Sequence, residues 1–170
     1  VLKHPGPVNP VRIQAEHSAC GRHFRVVLAR GASLHQAIVD ALLGCAVRSA
    51  SLTILGGEFR EIFYCTAPPD PTGNAVIAYT DPIALGVGEF VFGNAFLARG
   101  SDARPLIHCH AVLCTTAGVF GGHVMPHLSI TGDNPPSVLV TCWDGFDLKL
   151  RFDPETNIPL IQPCRERPDA

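Results

Sequence analysis

Three histidines of this chain have the types and the spacing to hold a metal ion. His108 and His110 are separated by one residue, and His123 follows a pair of glycines. If residues 105–115 form a β-strand, the side chains of His108 and His110 project from the same face, about 6–7 Å apart at Cβ. Three imidazoles with one open coordination position suit a reactive or exchangeable divalent metal such as zinc. The sequence therefore predicts a site for zinc, or a similar divalent metal, with His108, His110 and His123 as ligands.

The position of His123 depends on the turn that joins two predicted strands. A two-residue turn after Thr115 pairs Thr115 with Gly118 and sets His123 opposite His110, on the same face. A turn with an odd number of residues, or a bulge at the glycine pair, would move His123 to the other face. In that case the histidines would be ordinary residues of a half-buried sheet, held by hydrogen bonds.

Other side chains are weaker candidates for a role at this site. Cys114 shares the predicted face but lies two residue pairs beyond His110, so we do not expect it to be a ligand. His127 lies four residues past His123, about 13 Å along a regular strand, and is expected to be exposed or behind the ligands. A catalytic site would also need a general acid or base. The candidates, named by residue type alone and equally typical of surface or turn carboxylates, are Glu89, Asp102 and Asp144.

One amphipathic helix is predicted, beginning at Ser33. Ser33 can cap the free backbone N–H groups, and Gln36 completes the pattern of a capping box. This helix is expected to lie on a sheet, because its apolar face needs a partner to bury it. That face has the spacing of a helical stripe and consists of Leu34, Ile38, Ala41, Leu42 and Cys45.

The remaining elements are predicted to be strands. Segments 51–55 and 59–64 are rich in strand-forming residues and flank Gly56 and Gly57, which predicts a hairpin turn between them. The fold class is therefore α+β, with a mostly antiparallel β-sheet and one main covering helix. The other predicted strands are 23–30, 75–79, 83–98, 105–115, 119–131, 137–143 and 146–152.

Length and composition favour a single domain that associates with copies of itself. The chain has 170 residues, of which 46% are hydrophobic and only 16% are charged, against about 25% charged residues in a typical soluble domain. Such a surface is expected to pack in a homo-oligomer. Residues 1–21 are expected to form an extended N-terminal arm, residues 22–152 the domain, and residues 153–170 an irregular, Pro-rich tail.

Charge, hydropathy and cysteine usage exclude several classes of protein. The net charge is −2 and lysines and arginines form no run, which argues against binding to DNA. No apolar stretch approaches the ~18 residues of a membrane span, so no membrane contact is expected. The seven cysteines are odd in number and form no Cys-x-x-Cys pair. They are expected to be free thiols in a reducing compartment, so we expect a cytoplasmic protein.

With the histidine hairpin placed, the chain resembles the PPC domain (plant and prokaryote conserved), over about residues 22–152. This domain occurs alone in bacteria and archaea and beside AT-hooks in plant nuclear proteins. The His-x-His and Gly-Gly-His segments are the most specific part of the resemblance. The matching segments are 23–26 (HFRV), the capped helix from Ser33, 51–57 (SLTILGG), 105–110 (PLIHCH) and 121–124 (GGHV).

The resemblance implies an α+β fold assembled as a trimer, with a metal bound by the three histidines. The chain departs from the family pattern at two places. The Glu-containing strand corresponds to residues 89–92, but the usual glycine further along falls on Ala95, and there is no Arg-Gly-Arg-Pro AT-hook. Because the AT-hook gives the plant proteins their minor-groove binding, DNA binding does not transfer with the domain.

Three functions stay open at this point. The first is a metal-binding trimeric domain that binds a small molecule or a protein partner at the three-histidine site. The second is a zinc-dependent enzyme, a hydrolase or lyase acting on a small oxygen-rich substrate. The third is DNA binding, which is the label that the family carries.

Overall fold

The computed structural model describes residues 2–11 and 14–165 of the chain. In these ranges one helix and nine strands are formed. They are β1 (Gly21–Val27), α1 (Leu34–Leu43), β2 (Ala50–Cys65), β3 (Ile83–Arg99), β4 (Pro105–Thr115), β5 (Gly118–Val124), β6 (Ile130–Thr131), β7 (Ser137–Trp143), β8 (Asp147–Asp153) and β9 (Ile158–Cys164).

The strands form one sheet in the order β1-β7-β2-β5-β4-β3-β8-β9, and β6 pairs with β2. All pairings are antiparallel except a single parallel bridge between β3 and β8. The long strand β2 pairs with both β3 and β5, while β4 lies between those two strands. These four strands therefore close into a ring. The α+β class, with a mostly antiparallel sheet and one helix, is confirmed.

Helix α1 begins where the sequence predicts and covers one face of the sheet. The Ser33 hydroxyl oxygen accepts a hydrogen bond from the Gln36 backbone N–H at 3.1 Å. The Gln36 side chain donates to Asp40 instead of returning to Ser33, so only half of the predicted capping box forms. Leu34, Ile38 and Leu42 are at most 1% exposed and pack into the core against inward-facing residues of β2, β4 and β7.

The predicted hairpin at Gly56 and Gly57 is wrong, because both lie inside the single 16-residue strand β2. The register with β3 runs unbroken through them. Gly57 has a φ of 153°, and a Cβ there would lie 2.5 Å from the backbone nitrogen of Pro136. The glycine is therefore required by the close approach of another segment rather than by a turn.

The tail predicted to be irregular contains strand β9, which pairs with β8 along its whole length. Pro159 and Pro163 lack a backbone N–H and suggested an irregular segment. However, β9 is the last strand of the sheet, and an edge strand tolerates proline because its outer side makes no ladder hydrogen bonds. Arm residues 2–11 and 14–20 form no helix or strand. Residues 1, 12, 13 and 166–170 of the predicted arm and tail lie outside the described ranges.

Two other predicted strands differ from the structure. Residues 75–79 belong to a loop, 66–82. The predicted strand 119–131 is interrupted after Val124, because Pro126 lacks the N–H that a continuing ladder needs, and a turn closed by Met125 follows. All seven cysteines are free thiols, as expected. In the described residues no helix has the length and apolar character needed to span a membrane.

Candidate metal centre

The β4–β5 hairpin has the register that brings the three histidines to one face. Its turn consists of two residues, so Thr115 pairs with Gly118 and His110 pairs with His123. The Thr115 hydroxyl accepts a hydrogen bond from the Ala117 N–H at 3.1 Å, which helps to fix the turn. The pairing continues through both glycines without a bulge, so the even parity predicted from the sequence is confirmed.

The three imidazoles converge. Nε2 of His108 lies 3.1 Å from Nε2 of His110, and one nitrogen from each of the three rings lies within 4.8 Å of the others. The ring centroids of His108 and His110 are 4.6 Å and 5.2 Å from that of His123. Tetrahedral zinc with bonds of about 2.0–2.1 Å places its ligand nitrogens about 3.3–3.4 Å apart. The cluster therefore has the dimensions of a coordination site, with small adjustments of the side chains.

Burial keeps two of these imidazoles in the form that binds metals. Burial lowers the pKa of His123 to about 4, with smaller contributions from His108 and His110. Burial, followed by the charge of His110, also lowers the pKa of His108. A neutral imidazole offers the lone pair that a metal needs, so both rings are ready to coordinate at neutral pH.

One buried atom supports the presence of an ion. Nδ1 of His123 is buried and has no hydrogen-bond partner among the described residues. A buried polar atom left unpaired destabilises a protein by about 1–3 kcal/mol. Coordination to a cation is one way in which a buried imidazole nitrogen can gain a partner. The donor set and this unpaired nitrogen thus fit a bound divalent metal.

The second glycine before His123 is required by packing between strands. A Cβ at Gly122 would lie 2.7 Å from the Cys65 carbonyl oxygen and 2.8 Å from a ring carbon of Tyr64. A Cβ at Gly121 meets only the Ala111 carbonyl oxygen, at an ordinary 3.6 Å. Gly122 therefore allows β5 to approach the end of β2, where Cys65 pairs with His123.

The other residues considered from the sequence lie apart from the cluster. Cys114 pairs with Val119 on one side and with Glu89 on the other. His127 follows the end of β5 and stacks on His35 at a centroid distance of 4.0 Å, and it is exposed, one of the two positions expected from the sequence.

The candidate acids and bases also have other partners. Asp102 accepts a hydrogen bond from the Arg104 backbone N–H at 3.0 Å, and Asp144 lies 3.6 Å from Nε of Arg22. Glu89 pairs across the strands with Glu58. Among the described residues, the group of potential ligand atoms contains the three histidines and no carboxylate.

Two neighbours of the cluster had no signal in the sequence. Cys65, rather than Cys114, is the cysteine opposite His123, because β2 continues beyond the glycines at which a turn was predicted. The Tyr79 ring lies 5.1 Å from the His123 ring, between centroids. Tyr79 belongs to a loop without periodicity, so nothing in its spacing links it to a histidine 44 positions later.

Neither a protein-family model nor a curated protein matches the chain. Several solved structures do. A metal-containing protein from Archaeoglobus fulgidus is 18% identical, with a TM-score of 0.67 over 88% of this chain and 98% of that one. A protein from Ralstonia eutropha JMP134, called "Putative DNA-binding protein", is 19% identical, with a TM-score of 0.61 over 81% and 88%.

A plant- and prokaryote-conserved (PPC) protein from Pyrococcus horikoshii is 16% identical, with a TM-score of 0.59 over 88% of this chain and 96% of that one. At such identities the likeness concerns the fold. It agrees with the motifs of the histidine hairpin and of the capped helix. The chain therefore has the fold of PPC proteins.

Proposed function

We propose that this chain is a metal-binding domain in which His108, His110 and His123 hold zinc or a similar divalent ion. The observation that carries the proposal is the convergence of three imidazoles, one of which has a buried nitrogen without a hydrogen-bond partner among the described residues. The metal-containing protein of the same fold from Archaeoglobus fulgidus supports it. A small molecule or a protein side chain binds at the coordination position that the histidines leave open.

The chemistry of such a site follows from its ligands. Three neutral imidazoles leave both positive charges of the ion uncompensated, so the ion can polarise a bound oxygen or lower the pKa of bound water to about 7. The role of this chain's residues would be to hold the ion. Strand β4 supplies His108 and His110, and strand β5 supplies His123. Zinc-dependent hydrolysis or lyase chemistry stays a prediction, and no contact among the described residues favours it over binding.

DNA binding is the other function suggested by a protein of this fold. The net charge of −2 argues against it here. A gel-shift assay with duplex DNA at low salt tests it directly, and we expect no retention of the DNA.

We propose further that the domain assembles as a trimer through the sheet face that α1 does not cover. This outer face carries the histidine cluster, since His110 pairs with Asn94 and Asn94 with Thr53. Six apolar side chains on the same face are 37–63% exposed. They are Val27, Leu55, Phe92, Phe96, Val112 and Leu139.

Metal analysis of purified protein tests the site. Protein prepared without chelator should carry close to one zinc or similar ion per chain. His110→Ala should lose that metal while its circular dichroism stays unchanged, because His110 is exposed and its removal leaves the core intact. His127→Ala is the matched control: it removes a histidine outside the cluster and should retain the metal. Unchanged metal content in His110→Ala would contradict the proposal.

A further inference from the structure

A tyrosine from a distant loop lies against the histidine cluster. The ring of Tyr79 is 5.1 Å from that of His123 between centroids, with an angle of 48° between the two planes. The residue is 53% exposed. One side of Tyr79 therefore faces a proposed metal ligand while the rest is accessible to solvent, which is the position of a residue at the mouth of a site.

The backbone on both sides of Tyr79 is tied to the end of β2. The Ala78 N–H donates to the Pro68 carbonyl, and the Thr80 N–H donates to the Thr66 carbonyl, both at 2.9 Å. The Thr80 hydroxyl in turn accepts from the Thr66 N–H at 3.1 Å. These bonds extend the β2–β3 pairing into the loop, so the place of Tyr79 is set by the backbone.

The loop between these anchors is also closed by a local turn. The Asp70 carboxylate accepts hydrogen bonds from the N–H groups of Thr72 and Ala75, each at 2.9 Å. Asp70 thus holds the far end of the loop together. Hydrogen bonds at the base and at the tip of the loop therefore fix the position of Tyr79 beside His123.

Two further side chains border the cluster on the strand next to β4. Asn94 is the partner of His110 and Phe96 is the partner of His108, and both are exposed. Directly opposed residues have their Cβ atoms about 4.5–5.5 Å apart. The three imidazoles are therefore bordered by a phenol, an amide and a phenyl ring, which offer two groups that donate hydrogen bonds and one apolar surface.

We propose that Tyr79 is a specificity-determining residue that contacts a small organic carboxylate bound at the open position of the metal. This inference rests on the metal site proposed above. An ion held by three neutral imidazoles favours an anionic ligand. One carboxylate oxygen binds the ion, the Tyr79 hydroxyl and the Asn94 amide donate to the anion, and Phe96 packs against its carbon portion.

Cobalt(II) in place of zinc makes this contact measurable, because its visible absorption changes when a ligand enters the coordination sphere. Sodium acetate is the probe, titrated into cobalt-loaded protein, with inorganic phosphate as the comparison anion. Wild-type protein should bind acetate more tightly than phosphate. Tyr79→Phe should weaken acetate binding about tenfold, since it removes one hydrogen bond to a charged group. Tyr79→Ala should weaken it at least as much.

Tyr64→Phe is the matched control, because Tyr64 is the only other tyrosine and its ring packs towards Phe120 at a centroid distance of 6.1 Å. It should bind acetate as the wild type does.

Equal acetate affinity in Tyr79→Phe and wild type overturns the inference. A wild-type spectrum that acetate leaves unchanged, or that phosphate alters at lower concentration, also overturns it. A Tyr79→Phe spectrum that differs before acetate is added also overturns it, because Tyr79 would then act on the metal. Failure of the wild type to take up cobalt or zinc overturns the proposed function itself.

Discussion

Gly121 and Gly122 precede His123, and their surroundings differ although their residue type is the same. The backbone of β2 leaves no space for a side chain at Gly122, whereas Gly121 faces ordinary contact distances. Gly122→Ala should therefore push β5 away from Cys65 and displace His123. We expect a loss of about 1–3 kcal/mol in the free energy of unfolding and weaker zinc binding, measured by urea denaturation and by competition with a zinc chelator.

Gly121→Ala is the control for this prediction and should change neither quantity by more than a few tenths of a kcal/mol. If both alanine variants lost zinc equally, the contact with β2 would not be what positions His123.

The imidazoles also predict how the stability of the metal-free protein depends on pH. His123 has a pKa of about 4 in the folded protein and an ordinary value of about 6.5 when unfolded. Between these values the unfolded chain binds a proton that the folded chain does not, so stability falls as the pH is lowered from about 6.5 to about 4. Thermal unfolding after chelation should show this decline, and His123→Asn should reduce its slope. A melting temperature that rises over this interval would contradict the prediction.

At the scale of elements, the sequence pattern predicted those structures that are determined by interactions between neighbouring residues. The β4–β5 hairpin follows from its own residues: alternation fixes the face of His108 and His110, and the two-residue turn fixes His123. The helix follows likewise from Ser33 and an apolar stripe. Both the histidine cluster and the helix are therefore predictable from short stretches of sequence.

The errors arose where a distant segment decides the conformation. Gly57 was predicted to lie in a turn, but glycine is required there because Pro136, 79 positions later, lies close to its backbone. Strand β9 is stabilised by pairing with β8, which the prolines within it obscured. Tyr79 is held at the site by hydrogen bonds of a loop, and a loop has no periodic sequence pattern from which its position could be predicted. Such contacts are long-range, and a pattern of neighbouring residues does not contain them.

The N-terminal arm is bound to the β8–β9 hairpin by a buried carboxylate. The Glu155 side chain is 6% exposed, and its oxygens lie 2.7 Å from Nδ1 of His4 and from the backbone N of Asn9. The Gly6 N–H donates to the Glu155 carbonyl at 3.0 Å. A Cβ at Gly6 would lie 1.7 Å from the Pro154 carbonyl oxygen, so only glycine allows this approach.

Gly6→Ala should therefore release the arm and make residues 2–11 several times more susceptible to limited proteolysis, followed by mass spectrometry. The zinc content should not change, because none of these contacts involves His108, His110 or His123. Gly44→Ala, at a position with nothing within 4 Å of its Cβ, should be cleaved like the wild type. An arm equally resistant in both variants would show that Gly6 is not what holds it.

At the scale of the whole molecule, one face of the sheet is covered and the other is not. Helix α1 buries the inner face, while the outer face exposes Phe92 to 45% and Phe96 to 42%. Large apolar groups in rows across several strands are typical of an interface. The low charged fraction of the sequence, 16%, agrees with this interpretation.

Light scattering of the wild type should accordingly give about three times the 18.1 kDa mass of one chain. Phe92→Asp places a charge among the apolar rows and should reduce the mass to that of a monomer, since an unpaired charge is expensive to bury. Val8→Asp alters a residue of the arm that is 72% exposed and should remain assembled. A wild-type mass near 18.1 kDa would contradict the trimer.

The ring of β2, β3, β4 and β5 is closed by two residue pairs between β2 and β5, Tyr64 with Val124 and Cys65 with His123. His123, which is proposed to bind the ion, is therefore also one of the residues that close the ring. An ion bound by both strands of the hairpin would stabilise β5 against the end of β2, and a fluctuation that breaks these two pairs would move the His123 nitrogen away from those of His108 and His110. We therefore expect the rate of metal release to depend on how often these two residue pairs open.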